Sequence, residues 1–225
     1  MTQSHAKKQI FDYFLVLDFE ATCDRPHQPE PQEIIEFPVM KLNASSLKIE
    51  STFHTYVKPE VHPELTTFCT ELTGIIQEMV DDKPTLPQVL QDFDHWMNAE
   101  GLLKDDVRFA FATFGDWDLK TMLPSQCQYL DIKPKDYFNS GQWINVKRSV
   151  SDVTAIFPRH LLHALSTLKL QHIGRHHSGI DDCKNISALV VELIKRGQVL
   201  DFNNRSNIYN NRQRNRQHVM PNKSS

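Results

Sequence analysis

Three short segments put acidic side chains where an apolar run ends. Asp18 and Glu20 close the run 11–19, Phe-Asp-Tyr-Phe-Leu-Val-Leu-Asp-Phe. At spacing i, i+2 an extended chain points both to one face. Two acids there repel and lose solvation unless a cation lies between them. The alternative is a strand that stops one residue early and leaves both in water. Gly115-Asp116-Trp117-Asp118 follows a second apolar run. Asp116 fits a helix N-cap and Asp118 the first turn, where the helix dipole favours a carboxylate. Capping alone accounts for that pair. The third segment is His177-Ser178-Gly179-Ile180-Asp181-Asp182. Asp182 shares a helical stripe with Ile186, Leu189 and Leu193, which turns an acid inward at a helix start. Asp181 lies off that stripe and suits the dipole from solvent. His177 sits just before, in a Gly-containing turn, free to face the same cleft or to be solvated.

Each segment has an ordinary explanation. Together they bring several inward acids and a histidine to the ends of core elements. Hard oxygen donors in such a cluster suit Mg²⁺ or Mn²⁺, not zinc. Two ions about 3.5–4 Å apart would neutralise the acids and clamp a phosphodiester.

The elements that must hold these residues are legible in outline. Strand patterns cover 11–19, 34–42, 49–57 and 107–113, with Asn43-Ala44-Ser45-Ser46 as a hairpin link. Residues 58–73 read as irregular. A helix follows Thr85 as N-cap, with Leu86, Val89, Leu90, Phe93, Trp96 and Met97 on the helical period. Further helices are predicted to start at 117–122 and to span 160–168 and 181–196, the last closed by Gly197. Strands alternating with helices after a hairpin indicate an α/β protein with a mixed sheet. Trp96, Met97 and Trp143 read as core. His160 and His163 share a helical spacing but have no partner Cys or acid nearby, so zinc is not expected there.

The chain has 225 residues, 40% hydrophobic and 24% charged, enough for one packed domain. Its expected division is a polar extension 1–10, a folded domain 11–202 and a basic, disordered tail 203–225. The net charge of −3 hides an asymmetry. After Asp201 there is no acid, and Arg205, Arg212, Arg214, Arg216 and Lys223 make the tail +5, leaving −8 on residues 1–202. Such an arm suits phosphate attraction or simple solvation. No apolar run approaches the ~20 residues of a membrane span, and residues 1–9 lack the apolar stretch of a secretory signal. Lys7-Lys8 is too short for a nuclear signal. Cys23, Cys69, Cys127 and Cys183 are widely spaced, which argues against a disulfide framework or structural zinc and for a reducing intracellular compartment, cytoplasm or nucleus.

The motifs also carry a resemblance. Leu17-Asp18-Phe19-Glu20-Ala21-Thr22, Asp118, and His177 with Asp182 five residues later resemble the three motifs of the DEDDh 3′-to-5′ exonucleases. Glu33-Ile34-Ile35-Glu36-Phe37-Pro38, Cys69-Thr70-Glu71-Leu72-Thr73-Gly74-Ile75, Gln142-Trp143-Ile144-Asn145 and Ser178-Gly179-Ile180-Asp181-Asp182-Cys183-Lys184-Asn185 are similar to the Eri subfamily, over roughly residues 11–200. The resemblance implies an RNase H-like (DnaQ-like) fold, with a five-stranded mixed sheet flanked by helices. It implies that Asp18, Glu20, Asp118 and Asp182 hold two Mg²⁺ ions, with Mn²⁺ able to substitute, and that His177 takes a proton from the attacking water. It implies a monomeric Mg²⁺-dependent 3′-to-5′ exoribonuclease acting on single-stranded RNA 3′ ends and releasing nucleoside 5′-monophosphates. Phe68 and Trp117 would flank the last base, with core packing the alternative for both. Backbone groups of Phe19, Ala21 and Thr22 would read the terminal hydroxyls. A DNA exonuclease shares the same five residues, and a silent RNA- or protein-binding adaptor is a third reading that predicts a missing catalytic group. Two departures stand out. His176 occupies a position where relatives usually carry Pro. About a dozen residues precede the first strand, with no SAP-type domain, so histone stem-loop specificity is not expected to carry over.

Overall fold

The computed structural model describes residues 7–139 and 141–202. Residues 1–6 of the polar extension and the whole basic tail lie outside the described residues. In chain order the strands are β1 (Tyr13–Leu17), β2 (Glu20–Ala21), β3 (Ile34–Asn43), β4 (Ile49–Tyr56), β5 (Phe109–Thr113) and β6 (Ile144–Asn145). The helices are α1 (Thr67–Thr73), α2 (Leu86–Ala99), α3 (Leu123–Tyr129), α4 (Asp136–Asn139), α5 (Val146–Thr154), α6 (Leu161–Thr167) and α7 (Gly179–Lys195).

The apolar run of β1 decides the layering. A strand with no polar face must be covered on both sides. Phe14 and Val16 pack into a core closed by α5, α6 and α7. Leu15 and Leu17 pack into the opposite core, closed by α2 and α3 and rich in aromatic rings around Phe37 and Phe93. β1 runs parallel to β5 and antiparallel to β3, β5 is parallel to β6, and β4 lies beyond β3. The mixed sheet flanked by helices agrees with the expected class. The hairpin link forms as expected, with the Ser45 and Ser46 N–H groups donating to Asn43 Oδ1 at 2.8 Å each.

Six strands are present among the described residues, against the five implied, and the difference has a local cause. β1 and β2 lie along one edge of β3, in one register as far as Glu20, with Leu17 opposite Val39 and Glu20 opposite Glu36, before the register shifts at Ala21. They are one strand broken at Asp18 and Phe19. That register sets Asp18 opposite Pro38, which has no N–H to offer a ladder. The Phe19 N–H leaves the sheet and donates to Asp118 Oδ1 at 2.9 Å.

Residues 58–73 hold more order than the sequence indicated. α1 forms at their end because Thr66 Oγ1 accepts the Cys69 N–H at 3.0 Å and Gly74, at φ 79°, closes the last turn. Two prolines ahead of it obscured a helix of about two turns. α7 begins at Gly179, two residues earlier than expected. Its first N–H groups, from Gly179 and Ile180, donate to the Glu36 carboxylate at 2.9 and 3.2 Å. No helix among the described residues is long and apolar enough to cross a membrane.

Gly179 is required by this docking. A Cβ there would lie 2.7 Å from the Asp18 carbonyl oxygen, 3.0 Å from Pro38 Cγ and 3.1 Å from Glu36 Oε2. The first of these is backbone and cannot swing away. Gly179→Ala is therefore expected to lower stability by about 1–3 kcal/mol, the usual cost of overpacking, read as a lower midpoint in thermal or urea unfolding. An unchanged midpoint would show that α7 can move off β1 freely.

Candidate active site

The break in the β1–β2 strand is where the acids gather. Asp18 ends β1 on the face of Phe14 and Val16, and Glu20, two residues on, opens β2 on the same side. Burial is nearly complete for three of the four: relative exposure is 9% for Glu20, 4% for Asp118 and 3% for Asp182, while Asp18 is partly open to the cleft. Asp118 arrives from the far side of the sheet on a single π-helical turn, Asp118–Met122, that runs on into α3. The Leu123 N–H donates to the Asp118 carbonyl, the wider i→i+5 bond of such a turn. So the helix start expected at 117–122 is present in a wider form. The carboxylate then reaches across to the Phe19 N–H, which ties α3 to the strand break.

Asp116 does not act as the side-chain N-cap that its position suggested. That turn carries no side-chain cap bond. The Asp116 carboxylate instead accepts from Trp143 Nε1 at 3.1 Å, Asn145 Nδ2 at 2.9 Å and Arg148 NH2 at 3.0 Å. It fastens β6 and the start of α5 to the end of β5, a contact between segments about thirty residues apart that local pattern cannot reveal. Trp143 is thus a half-buried anchor rather than simple core. His160 caps α6, its Nδ1 accepting the His163 N–H at 3.3 Å.

Asp182 lies in the first turn of α7, inward as its stripe indicated. Its Oδ2 accepts the His177 N–H at 2.9 Å. His177 makes that bond from the left-handed region, at φ 64°, a conformation that costs a non-glycine residue of order 1 kcal/mol. The surroundings hold it there. Asp181 Oδ2 accepts the Arg175 N–H at 2.9 Å, Asn185 Oδ1 accepts the Ile173 N–H at 3.0 Å, and Asn185 Nδ2 donates to the Ile173 carbonyl at 2.8 Å. Asp181 therefore has a structural partner beyond the dipole. The His176 ring stacks on His177 with centroids 4.0 Å apart. Glu20, His177 and Asp182 offer donor atoms that all lie within 4.8 Å of one another.

Crowding sets the electrostatics. Burial first, then the charges of Asp118, Glu20, Asp182 and Glu36, push Asp18 well above the usual carboxylate range. Glu20 is raised in the same way, by burial and then by Glu36, Asp182 and Asp118. Asp118 is pushed up to about 6 by burial, against the opposing Phe19 N–H bond. His177 is held below its ordinary value by burial and by His176, against the pull of Asp182, so its imidazole is neutral at pH 7 and able to accept a proton. Oxygen donors this crowded fit a hard divalent cation, which would offset the repulsion that the fold imposes. A cleft of about 570 Å³ opens over Asp18, His177 and Asp182 and continues past Lys147 and Arg159.

The remaining expected contact residues divide. Trp117 is 40% exposed at the start of the π turn. Phe68 on α1 is half-buried, with the Arg25 guanidinium 4.6 Å over its ring. Neither lines the cleft just described. The Phe19 side chain is core, and its N–H is committed to Asp118. Ala21 is buried in β2. The Thr22 N–H donates to the Glu33 carbonyl at 2.7 Å, while Thr22 Oγ1 accepts the Glu33 N–H at 2.9 Å.

Residue-by-residue reading missed Glu36 and Asn185, although each carried a signal: a lone acid in the apolar run 34–42, and an amide on the buried side of an apolar helix. Glu36 also accepts His54 Nε2 at 2.8 Å. Glu33 escaped notice too. Its carboxylate gathers the N–H groups of Glu60, Val61 and His62 at 2.7–3.1 Å and pins the loop ahead of α1.

Comparison with known proteins decides the family. The model of the exonuclease family RNase_T matches residues 15–190. The chain belongs to this exonuclease family. Among its relatives, the ERI1 exoribonuclease 3 of Homo sapiens is 60% identical over 190 residues, 84% of this chain and 56% of that protein. The solved nuclease domain of 3′hExo, described as a DEDDh family member bound to rAMP, is 38% identical, with a TM-score of 0.82, covering 88% of this chain and 98% of that one. A second structure, of a 3′-exonuclease recognising the histone mRNA stem-loop, is 37% identical with a TM-score of 0.83, over 89% of this chain and 70% of that one. The chain spans a little over half the length of these curated relatives. The family's chemistry implies divalent metal ions, in keeping with the oxygen donors of this cleft.

The raised value of Asp118 has a signed consequence for stability. A carboxyl whose folded pKa of about 6 exceeds the ordinary 3.8 destabilises the metal-free fold once it ionises. Stability is fullest below about pH 4 for this group and falls as pH rises through about 6. Asp118→Asn is expected to stabilise the metal-free protein at pH 8 by up to about 3 kcal/mol, and to change it little at pH 4. Unfolding midpoints at the two pH values, in chelator, check this. A loss of stability at pH 8 would mean that the cluster is not under charge strain.

Proposed function

We propose that this chain is a 3′-to-5′ exoribonuclease that removes nucleoside 5′-monophosphates from single-stranded RNA ends. The supporting observation is the convergence of Asp18, Glu20, Asp118, Asp182 and a neutral His177 on one strand break, in a chain whose relatives carry exoribonuclease names. In this reading Asp18, Glu20, Asp118 and Asp182 hold two Mg²⁺ ions, with Mn²⁺ as a substitute. Bound there, the ions would supply a low-pKa water and neutralise charge on the departing 3′ oxygen. The chain's own contribution is positional and acid–base. Asp182 fixes the backbone of His177 through the 2.9 Å bond to its N–H. The His177 imidazole, poised in the neutral state, accepts the proton of the attacking water. Asp118 holds the end of β1 through the Phe19 N–H, which keeps Asp18 and Glu20 on one side.

Substrate contacts follow the same reading. The exposed Trp117 indole and the Phe68 ring would flank the terminal base, a sequence-tolerant mode of holding a single strand. Backbone groups of the stretch Phe19, Ala21 and Thr22 not already spent on Asp118 and Glu33 would meet the terminal 2′- and 3′-hydroxyls, the sugar groups that separate RNA from DNA. The domain is taken to span 11–202, with 203–225 as a basic arm. The four cysteines are free and buried, in keeping with a reducing compartment.

The test uses two 5′-labelled single strands of one sequence, RNA and DNA, with Mg²⁺ or with EDTA. RNA should shorten as a ladder from its 3′ end with Mg²⁺ only. Equal loss of both strands would replace this reading with a general DEDDh exonuclease, and no cleavage would favour an adaptor. Asp18→Ala and Asp182→Ala should abolish cleavage. His177→Ala should cut kcat by about 10²–10⁴, the span of general-base catalysis, and should leave metal-dependent stabilisation in place. If His176→Ala is the more damaging change, the base is His176.

A further inference from the structure

A second group of donor atoms adjoins the carboxylate cluster and shares Asp182 with it, while His172 serves no step above. Atoms of His172, His176 and Asp182 all lie within 4.8 Å of one another. Two imidazoles and one carboxylate form a borderline-soft N,N,O set, which suits Zn²⁺ far better than Mg²⁺. His172 Nε2 is shielded from water within a ring that is itself partly exposed, and it makes no hydrogen bond, one of two such side-chain atoms among the described residues. Buried polar nitrogens are normally partnered, and an unpartnered one costs stability. His176 Nδ1 stands 3.3 Å from Asp182 Oδ2 and 3.4 Å from Oδ1. That is long for a charge-assisted hydrogen bond. It matches one edge, roughly 3.4 Å, of a tetrahedron whose centre lies about 2.0–2.1 Å from each corner, and the remaining donor pairs lie within 4.8 Å.

The loop that carries both histidines is held in advance. Its N–H groups at Ile173, Arg175 and His177 donate to Asn185, Asp181 and Asp182 of α7, and Arg175 NH2 donates to the Glu71 carbonyl at 2.6 Å. Gly174, at φ 73°, makes the turn between the two imidazoles, and a Cβ there would run into the Asp181 carboxylate. Little ordering would therefore accompany ion capture.

We infer that His172, His176 and Asp182 form a transition-metal site that takes Zn²⁺ and competes with the catalytic cluster for Asp182. Three protein donors leave a fourth position for water. Capture of Asp182 removes one of the four acids and pulls on the His177 backbone that it anchors. Zinc is then an inhibitor of cleavage supported by magnesium. The inhibition rests on the nuclease reading above; the binding does not.

The experiment titrates the full chain, metal-free, with Co²⁺ and then Zn²⁺ in an excess of Mg²⁺, following visible d–d absorption and heat, and measures RNA cleavage in parallel. One ion per chain with tetrahedral d–d bands is expected, displaced by Zn²⁺. His172→Ala should weaken zinc by more than the roughly 10–100-fold that loss of an outer-shell partner costs. The same variant should keep basal Mg²⁺-dependent cleavage within about two-fold while losing zinc inhibition, and His172→Gln should do likewise. Intense thiolate-to-cobalt bands would overturn the site by moving the ion to cysteine. So would an affinity untouched by both His172 variants. Histidine-dependent binding without inhibition would overturn the competition for Asp182. If no form of the protein cleaves RNA, the nuclease reading fails, and the cobalt spectrum with its His172 dependence alone decides the site.

Discussion

Like-charged carboxylates held out of water at the end of a central strand are the constraint on which the rest of this molecule turns. Asp18, Glu20 and Asp118 each sit above their ordinary pKa, with burial the first cause in every case. A cluster of this kind opposes folding when its members ionise. It persists because the surrounding elements are fastened by other means. The strand break spends one ladder position to turn the Phe19 N–H toward Asp118. The helix that delivers Asp182 is seated by the Glu36 carboxylate against two otherwise unpaired helix N–H groups. A buried carboxylate there satisfies donors that a helix start leaves open and favours the dipole at the same time.

Glu36 also shows how closely support and charge strain are joined. The carboxylate that holds α7 in place is one of the charges that raise Asp18 and Glu20. Its other oxygen contact is to His54 on β4, which places a histidine within reach of that charge. Pro38 and Gly179 complete the arrangement by subtraction. One lacks a donor where β1 must break, and the other lacks a Cβ where α7 must touch the Asp18 carbonyl. Support and charge crowding thus meet at four or five contacts around one strand end, while the two aromatic and aliphatic cores on either side of the sheet supply the apolar burial that offsets them.

Much of this could be read from the chain. The strand patterns 34–42 and 49–57 became a hairpin because its link holds Asn43, whose side chain captures the turn N–H groups. Thr85 begins α2 with a capping box, its N–H donating to Gln88 Oε1 at 2.9 Å. Asp182 faces inward because helical periodicity leaves it no other direction. α1 escaped because prolines ahead of it and a glycine at its end look like loop, and the cap that makes it a helix is one threonine. Asp116 was misassigned because its three partners lie on β6 and α5. Cys23 and Cys69, far apart in sequence, meet in one small core, where the Cys69 thiol donates to the Ala21 carbonyl at 3.8 Å.

By itself the sequence determined the class of fold and singled out five candidate groups in their order, because strand and helix periods and the D-x-E, D and H-x4-D spacings are local properties of the chain. Tertiary structure decided which ordinary residues hold those groups in place. Glu36 and Gly179 stand 143 positions apart, and no local pattern encodes their approach. Asn185 holds the histidine loop from one face of α7, His172 and His176 close on Asp182, and Asp116 ties two distant segments together. Each depends on how the elements pack, which is settled by the shape of the buried core rather than by the residues on either side in the chain.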